Sequence, residues 1–310
     1  MPTEGDLAPA AVRAGARWAD REHTAPVARQ GLVGRAAEQA ALSTALARAG
    51  GALLITGEAG IGKSRLVDEL IVQARDQGLT VAVGACAPNR GGLPYGPFVA
   101  AVRDLAAQRG PTIAAELGPL ATGFAAERSA QADRPTAFND ALAQASMFGT
   151  VLSGLATVSA DDPVVLVLED VHWADAGSVD LLDFLVRNLG GARVLLVVTY
   201  RDDTLGRDHP LRATLTELGR LAQVTTTRLA ALEPPDMREL VTALLGADAD
   251  RVRVEEVVTR AQGNPFFAEE LAAADRAVDA YAFRAAASAC SRSSSAVTGC
   301  LLRRGSARSR

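Results

Sequence analysis

Lysine is almost missing from this chain. Among 310 residues Lys63 is the only one, and arginine takes every other basic position. A single lysine in such a background marks a place where a compact ammonium is wanted and a planar guanidinium is not. Cysteine is also scarce. Cys86, Cys290 and Cys300 make an odd number with no paired spacing, which argues against a zinc site and for a reduced, cytoplasmic chain. Aromatic residues are 4% of the total, so the core must be aliphatic. The net charge of −4 carries no global signature of nucleic-acid binding. Apolar runs are strand-length and predict no membrane partner. The opening MPTEGDLAP has acids and no apolar centre, unlike a secretory signal. What remains is 48% apolar and 22% charged, the balance of a globular chain with room for one large or two modest domains.

The lone lysine sits in Gly57-Glu58-Ala59-Gly60-Ile61-Gly62-Lys63-Ser64. This fits the phosphate-binding loop pattern of Gly, four residues, then Gly-Lys-Ser/Thr. The flanks agree. Ala52 to Thr56 is a short apolar run that predicts a buried strand, and Arg65 to Gln77 carries apolar residues at helical spacing. In a strand–loop–helix unit, backbone N–H groups and a helix N-terminus converge on an anion. Lys63 would lie against the β- and γ-phosphates of a nucleotide, and the Ser64 hydroxyl would ligate Mg²⁺. The bland alternative is a glycine-rich turn before an ordinary helix.

Val164 to Leu168 is the second strong signal, a continuous aliphatic run expected of an interior strand in a parallel sheet. It ends in Glu169-Asp170. Two carboxylates at the C-terminal edge of a buried strand are placed to meet Mg²⁺ and the attacking water. By position Glu169 holds the metal through water and Asp170 polarises the nucleophile, and a one-residue shift exchanges those roles. Asp170 as a helix N-cap is compatible with either. His172 reads as a structural histidine and Trp173 as an apolar anchor for the loop. Arg193 to Thr199 predicts another buried strand, followed by Tyr200 and Arg201. Arg201 either senses a γ-phosphate or is a surface residue paired with Asp202 or Asp203.

The remaining chain supplies helices and punctuation. Met1 to Gln30 reads as a flexible leader. Val33-Gly34-Arg35-Ala36-Ala37-Glu38 precedes a helix to about Ala49 and is placed to pack over a nucleotide base. Thr80 to Cys86 predicts the second strand. Helices are expected at Phe98 to Ala107, Pro111 to Leu117, Ala137 to Val158, Ser178 to Leu189 and from Pro210 to about Leu221, with a polar, irregular stretch at Thr122 to Arg134. Gln223 to Leu229 predicts the last strand. After Glu233-Pro234-Pro235, helices at Asp236 to Leu245, Asp250 to Gln262 and from Pro265 make a small lid. The 274–310 tail is rich in Ser and Arg. It reads as disordered or as aberrant, shifted-frame sequence rather than as a nucleic-acid contact.

Taken in order, LVGRAAE, GEAGIGKS, VVLVLEDVHWAD, VVTYRDD and GNPFFAEEL resemble the STAND class of signalling P-loop NTPases. More narrowly they are similar to the origin-recognition-like AAA ATPase domain of large LuxR-type transcriptional regulators. The likeness covers about Gly31 to Leu271. It implies an α/β fold, a five-stranded parallel sheet flanked by helices with the phosphate-loop strand central. The domains expected are a 31–232 core and a 233–273 helical lid. It implies a weak Mg²⁺-dependent ATPase used as a switch between ADP and ATP states, with ATP-dependent self-association. It also implies Arg35 near the adenine, Arg201 near the γ-phosphate and Pro265 against the base. Relatives of this kind continue into a winged unit, repeats and a helix-turn-helix that these residues do not contain, so no direct nucleic-acid binding is expected. Two other readings stand beside this one: a remodelling or loading ATPase acting on DNA or protein, and a small-molecule kinase.

Overall fold

The computed structural model describes residues 31–87, 94–110, 117, 137–206 and 209–276, with side chains from 141 onward in the helix that starts at Ala137. The expected leader, the helix at Pro111 to Leu117 except for Leu117 itself, the irregular Thr122 to Arg134 stretch and nearly all of the tail lie outside the described residues. The chain divides into two compact units between Ala230 and Ala231.

In the first unit the elements run α1 (Ala36–Arg48), β1 (Gly51–Thr56), α2 (Lys63–Asp76), β2 (Thr80–Ala85), α3 (Gly96–Arg109), α4 (Ala137–Asp161), β3 (Val164–Glu169), α5 (Ala176–Asn188), β4 (Val194–Tyr200), α6 (Pro210–Leu218) and β5 (Val224–Arg228). The five strands form one parallel sheet in the order β2-β3-β4-β1-β5. The phosphate-loop strand is therefore interior but not central. β1 lies between β4 and β5, and β4 occupies the middle. Strand order follows from how the helical crossovers return the chain, which local apolar patterning does not encode.

Burial on both faces explains the continuous apolar runs. Alternate residues serve opposite layers because side chains alternate across a strand. Leu53, Ile55, Val165, Val167, Leu195 and Val197 pack with α1 and α2 through Leu42, Leu46, Leu66 and Leu70. Leu54, Leu166, Leu168, Leu196 and Val198 pack on the other face with Phe98, Val102, Val151, Leu155, Leu182 and Leu185. Helices thus cover both faces, and the C-terminal ends of the strands are left to carry chemistry.

Most helix ends shift by up to three residues from the sequence expectation, and three of the shifts have a plain local cause. α2 starts at Lys63 because Gly62, in the left-handed region with φ 104°, breaks the chain immediately before it. α6 stops at Leu218, where Gly219 caps it. The helix Pro234–Leu245 starts two residues early because proline's missing N–H costs nothing at a helix's first position. The expectation that apolar runs stay strand-length also needs correction. Ala141–Asp161 is long and apolar enough to cross a membrane by length and composition alone. Its Phe148, Val151, Leu155 and Val158 are buried at helical spacing against the sheet.

One glycine fixes how closely a helix approaches the sheet. A Cβ at Gly84 in β2 would lie 1.8 Å from the Pro97 carbonyl oxygen at the start of α3, with the Pro97 carbon at 2.7 Å. Both obstacles are backbone, so the helix itself would have to move. Gly84→Ala is expected to destabilise the first unit by about 3 kcal/mol or more, lowering Tm by roughly 10 °C. Thermal unfolding followed by circular dichroism checks this, and a Tm within 1 °C of wild type would contradict it.

The second unit contains α7 (Pro234–Leu245), α8 (Arg251–Ala261) and α9 (265–276). Its entry segment is pinned by a hydrogen bond from Leu232 N to the Gly263 carbonyl at 2.8 Å. Arg238 Nε joins α7 to α8 through Glu255 at 2.6 Å, and Arg276 donates to the Leu244 carbonyl at 2.7 Å.

Candidate nucleotide-binding site

The site is assembled from three strand ends of the first unit. β1 leads into the Gly57–Ser64 loop, β3 ends in Glu169, and β4 runs out through Thr199 and Tyr200 to Arg201. The register places these ends side by side, with Thr56 opposite Tyr200 and Leu168 opposite Val198.

The loop turns on three glycines with positive φ: Gly57 at 153°, Gly60 at 75° and Gly62 at 104°. Glu58, Ala59 and Gly60 are exposed, whereas Ile61 is buried and anchors the loop in the α1–α2 layer. A Cβ on Gly57 would meet Ile61 Cγ2 and the Leu229 carbonyl oxygen, both at 2.9 Å. No side chain caps the N-terminus of α2, and its first turn carries no acid. Its leading N–H groups and the positive end of its dipole suit an anion.

Lys63 is 7% exposed. Its Nζ donates to the Gly57 and Glu58 carbonyls, each at 2.7 Å. Burial, and then the Arg201 guanidinium, push its pKa below the ordinary lysine value, while Asp170, Asp203 and Asp202 oppose that shift. Lys63, Asp170 and Arg201 therefore share one electrostatic environment. Ser64 follows at the second residue of α2 and is partly buried.

Glu169 is buried at the last position of β3, and its carbonyl accepts from Cys86 N at 2.9 Å. Asp170 is built differently. Its φ of 55° lies in the left-handed region, uncommon for a residue with a Cβ. Its N–H donates to Thr199 Oγ1 at 2.9 Å, so β4 holds the strained peptide in place. Asp170 makes no side-chain cap. The N-cap of α5 is Asp175, which accepts from Ser178 N at 3.0 Å and from Tyr95 N at 3.2 Å. The sequence signal for this was available in the Asp-x-x-Ser spacing ahead of the α5 pattern.

Arg201 is partly buried just beyond the end of β4. Asp202 pairs with Arg228 at 3.1 Å. The Arg201 Nε is buried and has no hydrogen-bond partner among the described residues. Arg35 is held by the chain itself. It is 6% exposed and its Nη2 is shared by the Ile61 carbonyl at 3.2 Å and the Ala230 carbonyl at 2.7 Å. Nη1 pairs with Glu38 at 3.0 Å. It ties the phosphate loop to the peptide at the end of the first unit. Pro265 lies in the second unit, at the first position of α9, beside an Asx turn in which Phe266 N donates to Asn264 Oδ1 at 3.1 Å.

The 171–173 turn overturns the sequence reading of Trp173. Trp173 is 48% exposed and so is not an apolar anchor. Val171 and His172 are buried instead. Burial, which dominates, holds the His172 pKa below the ordinary value, with Arg201 and Lys63 adding to it against Asp170.

Cys86 borders the same edge. Burial, with the nearby Asp170 and Asp175 carboxylates, pushes its thiol up to about 12. Since the thiolate is the nucleophile, Cys86 should react with a disulfide reagent at pH 8 roughly a thousandfold more slowly than an open thiol. Thiol titration of a Cys290→Ser/Cys300→Ser variant checks this, with denaturant restoring the reaction. Fast labelling of the folded chain would contradict it.

The donor set fits Mg²⁺ bound with a nucleotide. Magnesium takes one or two protein oxygens and fills its octahedron with phosphates and water, so it needs no cluster of ligands. Among the described residues no group of three or more His, Cys, Asp or Glu is placed to hold a metal. Ser64, Glu169 and Asp170 offer the smaller set, and the unpartnered Arg201 Nε offers a buried donor for an anion.

An uncharacterized protein of Rhizobium meliloti (strain 1021) is 31% identical over 227 residues, covering 65% of this chain and 22% of its own length. The chain thus spans about a fifth of that relative. Among solved structures, domain III of the Thermotoga maritima replication initiation protein DnaA is 13% identical, covering 83% of this chain and 87% of that one at a TM-score of 0.44. A signal-transduction ATPase with numerous domains (STAND) protein with a tetratricopeptide repeat sensor, from Pyrococcus horikoshii, is 18% identical, covering 78% and 30% at a TM-score of 0.41. The family model for the AAA ATPase domain matches residues 31–198, more than half of the chain, and the chain belongs to that family.

Proposed function

We propose that this chain is an ATP-binding, slowly hydrolysing switch module of a signalling or transcriptional regulator of the STAND, LuxR-associated kind. One observation carries the reading: the only lysine of the chain is buried in a glycine loop, in electrostatic range of Asp170 and Arg201. Membership of the AAA ATPase family supports it.

In this reading the backbone N–H groups from Glu58 to Ser64, with Gly57 opening the turn, cradle the phosphates. Lys63 releases the Gly57 and Glu58 carbonyls to meet the β- and γ-phosphates. Ser64 and Glu169 hold Mg²⁺, which would neutralise charge on the transferring phosphoryl group. Asp170, beyond the strand end, accepts the proton of the attacking water. Arg201 faces the γ-phosphate. Arg35 acts on the loop through Ile61 rather than on the base. Residues 31–232 form the ATPase core, and 233–273 act as its lid through Pro265.

A switch need not turn over quickly. Phosphate release at saturating Mg-ATP is expected at about 10⁻² s⁻¹ or slower, the range of nucleotide switches. The rate per chain should be constant as protein concentration rises. A rate per chain that climbs steeply with concentration would overturn the reading in favour of a remodelling ATPase completed by a neighbouring subunit.

A further inference from the structure

His172 carries an observation that the proposed function leaves unused. Its side chain is 1% exposed. Neither Nδ1 nor Nε2 has a hydrogen-bond partner among the described residues. A buried imidazole with two idle nitrogens costs free energy, because each polar atom loses water and gains nothing. Such a group calls for an explanation, and a polar neighbour just out of reach supplies one.

The geometry identifies that partner. Nδ1 lies 3.8 Å from Asp170 Oδ1, under an ångström beyond hydrogen-bond length. The Asp170 carboxylate is 40% exposed and is free to turn about its side-chain bonds, whereas its peptide is pinned by Thr199. The His172 ring has no such freedom. It is buried in the turn, with the Trp173 ring centred 5.1 Å away and tilted by 44°. Of the two, the carboxylate moves and the imidazole stays.

We propose that His172 is a positioning residue: its Nδ1–H donates to Asp170 and sets the carboxylate in the orientation from which it takes a proton from the attacking water. This rests on the ATPase reading for its consequence but not for its geometry. A neutral imidazole has one N–H to give, and the hydrogen bond decides which nitrogen bears it. A neighbouring carboxylate selects the Nδ1–H form. The rigid ring then does for Asp170's side chain what Thr199 does for its backbone. Histidine suits the task because Nδ1 is close to the main chain and reaches back two residues within a tight turn. Nε2 points too far along the ring to do so.

Two measurements on the full chain test this. The first needs no activity. In ¹⁵N-histidine-labelled, nucleotide-free protein, the His172 signals are separated from those of His23 and His209 by their loss in His172→Gln. Wild type should show the Nδ1–H tautomer, and Asp170→Asn should shift the population toward Nε2–H. An Nε2–H imidazole unchanged by Asp170→Asn overturns the proposal while leaving the ATPase reading intact.

The second is single-turnover hydrolysis with Mg-ATP affinity measured alongside. His172→Phe should slow the chemical step about tenfold, the usual scale for an orienting partner, at unchanged affinity. His172→Asn, whose amide nitrogen takes the place of Nδ1, should recover most of the rate. His172→Gln, which resembles Nε2, should not. Equal rates in the Asn and Gln variants, or a full rate in the Phe variant, overturn the proposal. A wild-type chain that binds no nucleotide sinks the ATPase reading, and the tautomer measurement still decides whether His172 holds Asp170.

Discussion

Lys63→Ala should lose nucleotide binding while keeping its fold. The ammonium makes two hydrogen bonds in the free protein, to the Gly57 and Glu58 carbonyls. In the proposed complex it exchanges these for contacts with phosphate oxygens. Charge-assisted bonds of this kind contribute about 1.5–3 kcal/mol each, so losing them weakens Mg-ATP binding by roughly a hundredfold or more. Stability responds differently. Burial already disfavours the charged lysine, as its lowered pKa records. Removing it relieves that cost as it deletes the bonds, and Tm should move by only a few degrees. Lys63→Arg should fail nearly as badly. A planar fork does not fit where a point charge is held between two carbonyls 2.7 Å away. Equilibrium titration with a fluorescent ATP analogue checks both variants. Affinity within threefold of wild type in Lys63→Ala would contradict the assignment.

Asp170→Asn should separate binding from chemistry. Asparagine tolerates the left-handed backbone found at this position, so the substitution keeps the φ of 55°. It also keeps the N–H that donates to Thr199. What it removes is the base. Single-turnover hydrolysis should fall about a hundredfold, the scale of general-base catalysis, with Mg-ATP affinity within threefold of wild type. Glu169→Gln should do the reverse. Glu169 sits inside the strand, buried and rigid, which suits a metal partner, and its loss should weaken Mg²⁺-dependent binding by about tenfold. Magnesium titrations and quench-flow measurements on both variants check the pair. An exchange of the two phenotypes would reverse the roles given to Glu169 and Asp170.

Sequence and structure agree where one physical cause acts locally. The β1, β3 and β4 runs are continuous because both faces of a parallel strand are buried, and they were legible as strands for that reason. The loop was legible because glycines, lysine and serine at fixed spacing have few other uses. What was not legible depends on distant partners. The order β2-β3-β4-β1-β5 requires knowing which crossover returns where. The contacts of Arg35 were not legible from its place just before the loop. Its partners, Ile61 and Ala230, are 26 and 195 residues away. Trp173 looked like an anchor because it is large and apolar, yet it is the histidine before it that is buried. Hydropathy ranks those two residues the wrong way round, since it cannot register a nearby carboxylate. Gly84 gave no signal at all. Only the Pro97 carbonyl lying against it explains why that strand position carries no side chain.

The most direct test of the central claim is a calorimetric titration of the wild-type chain with Mg-ATP. Circular dichroism on the same sample establishes that it is folded. The account predicts saturable binding at one site per chain, weakened when Mg²⁺ is removed and lost in Lys63→Ala. A folded chain that binds no nucleotide, or binds it equally well without Lys63, would contradict it.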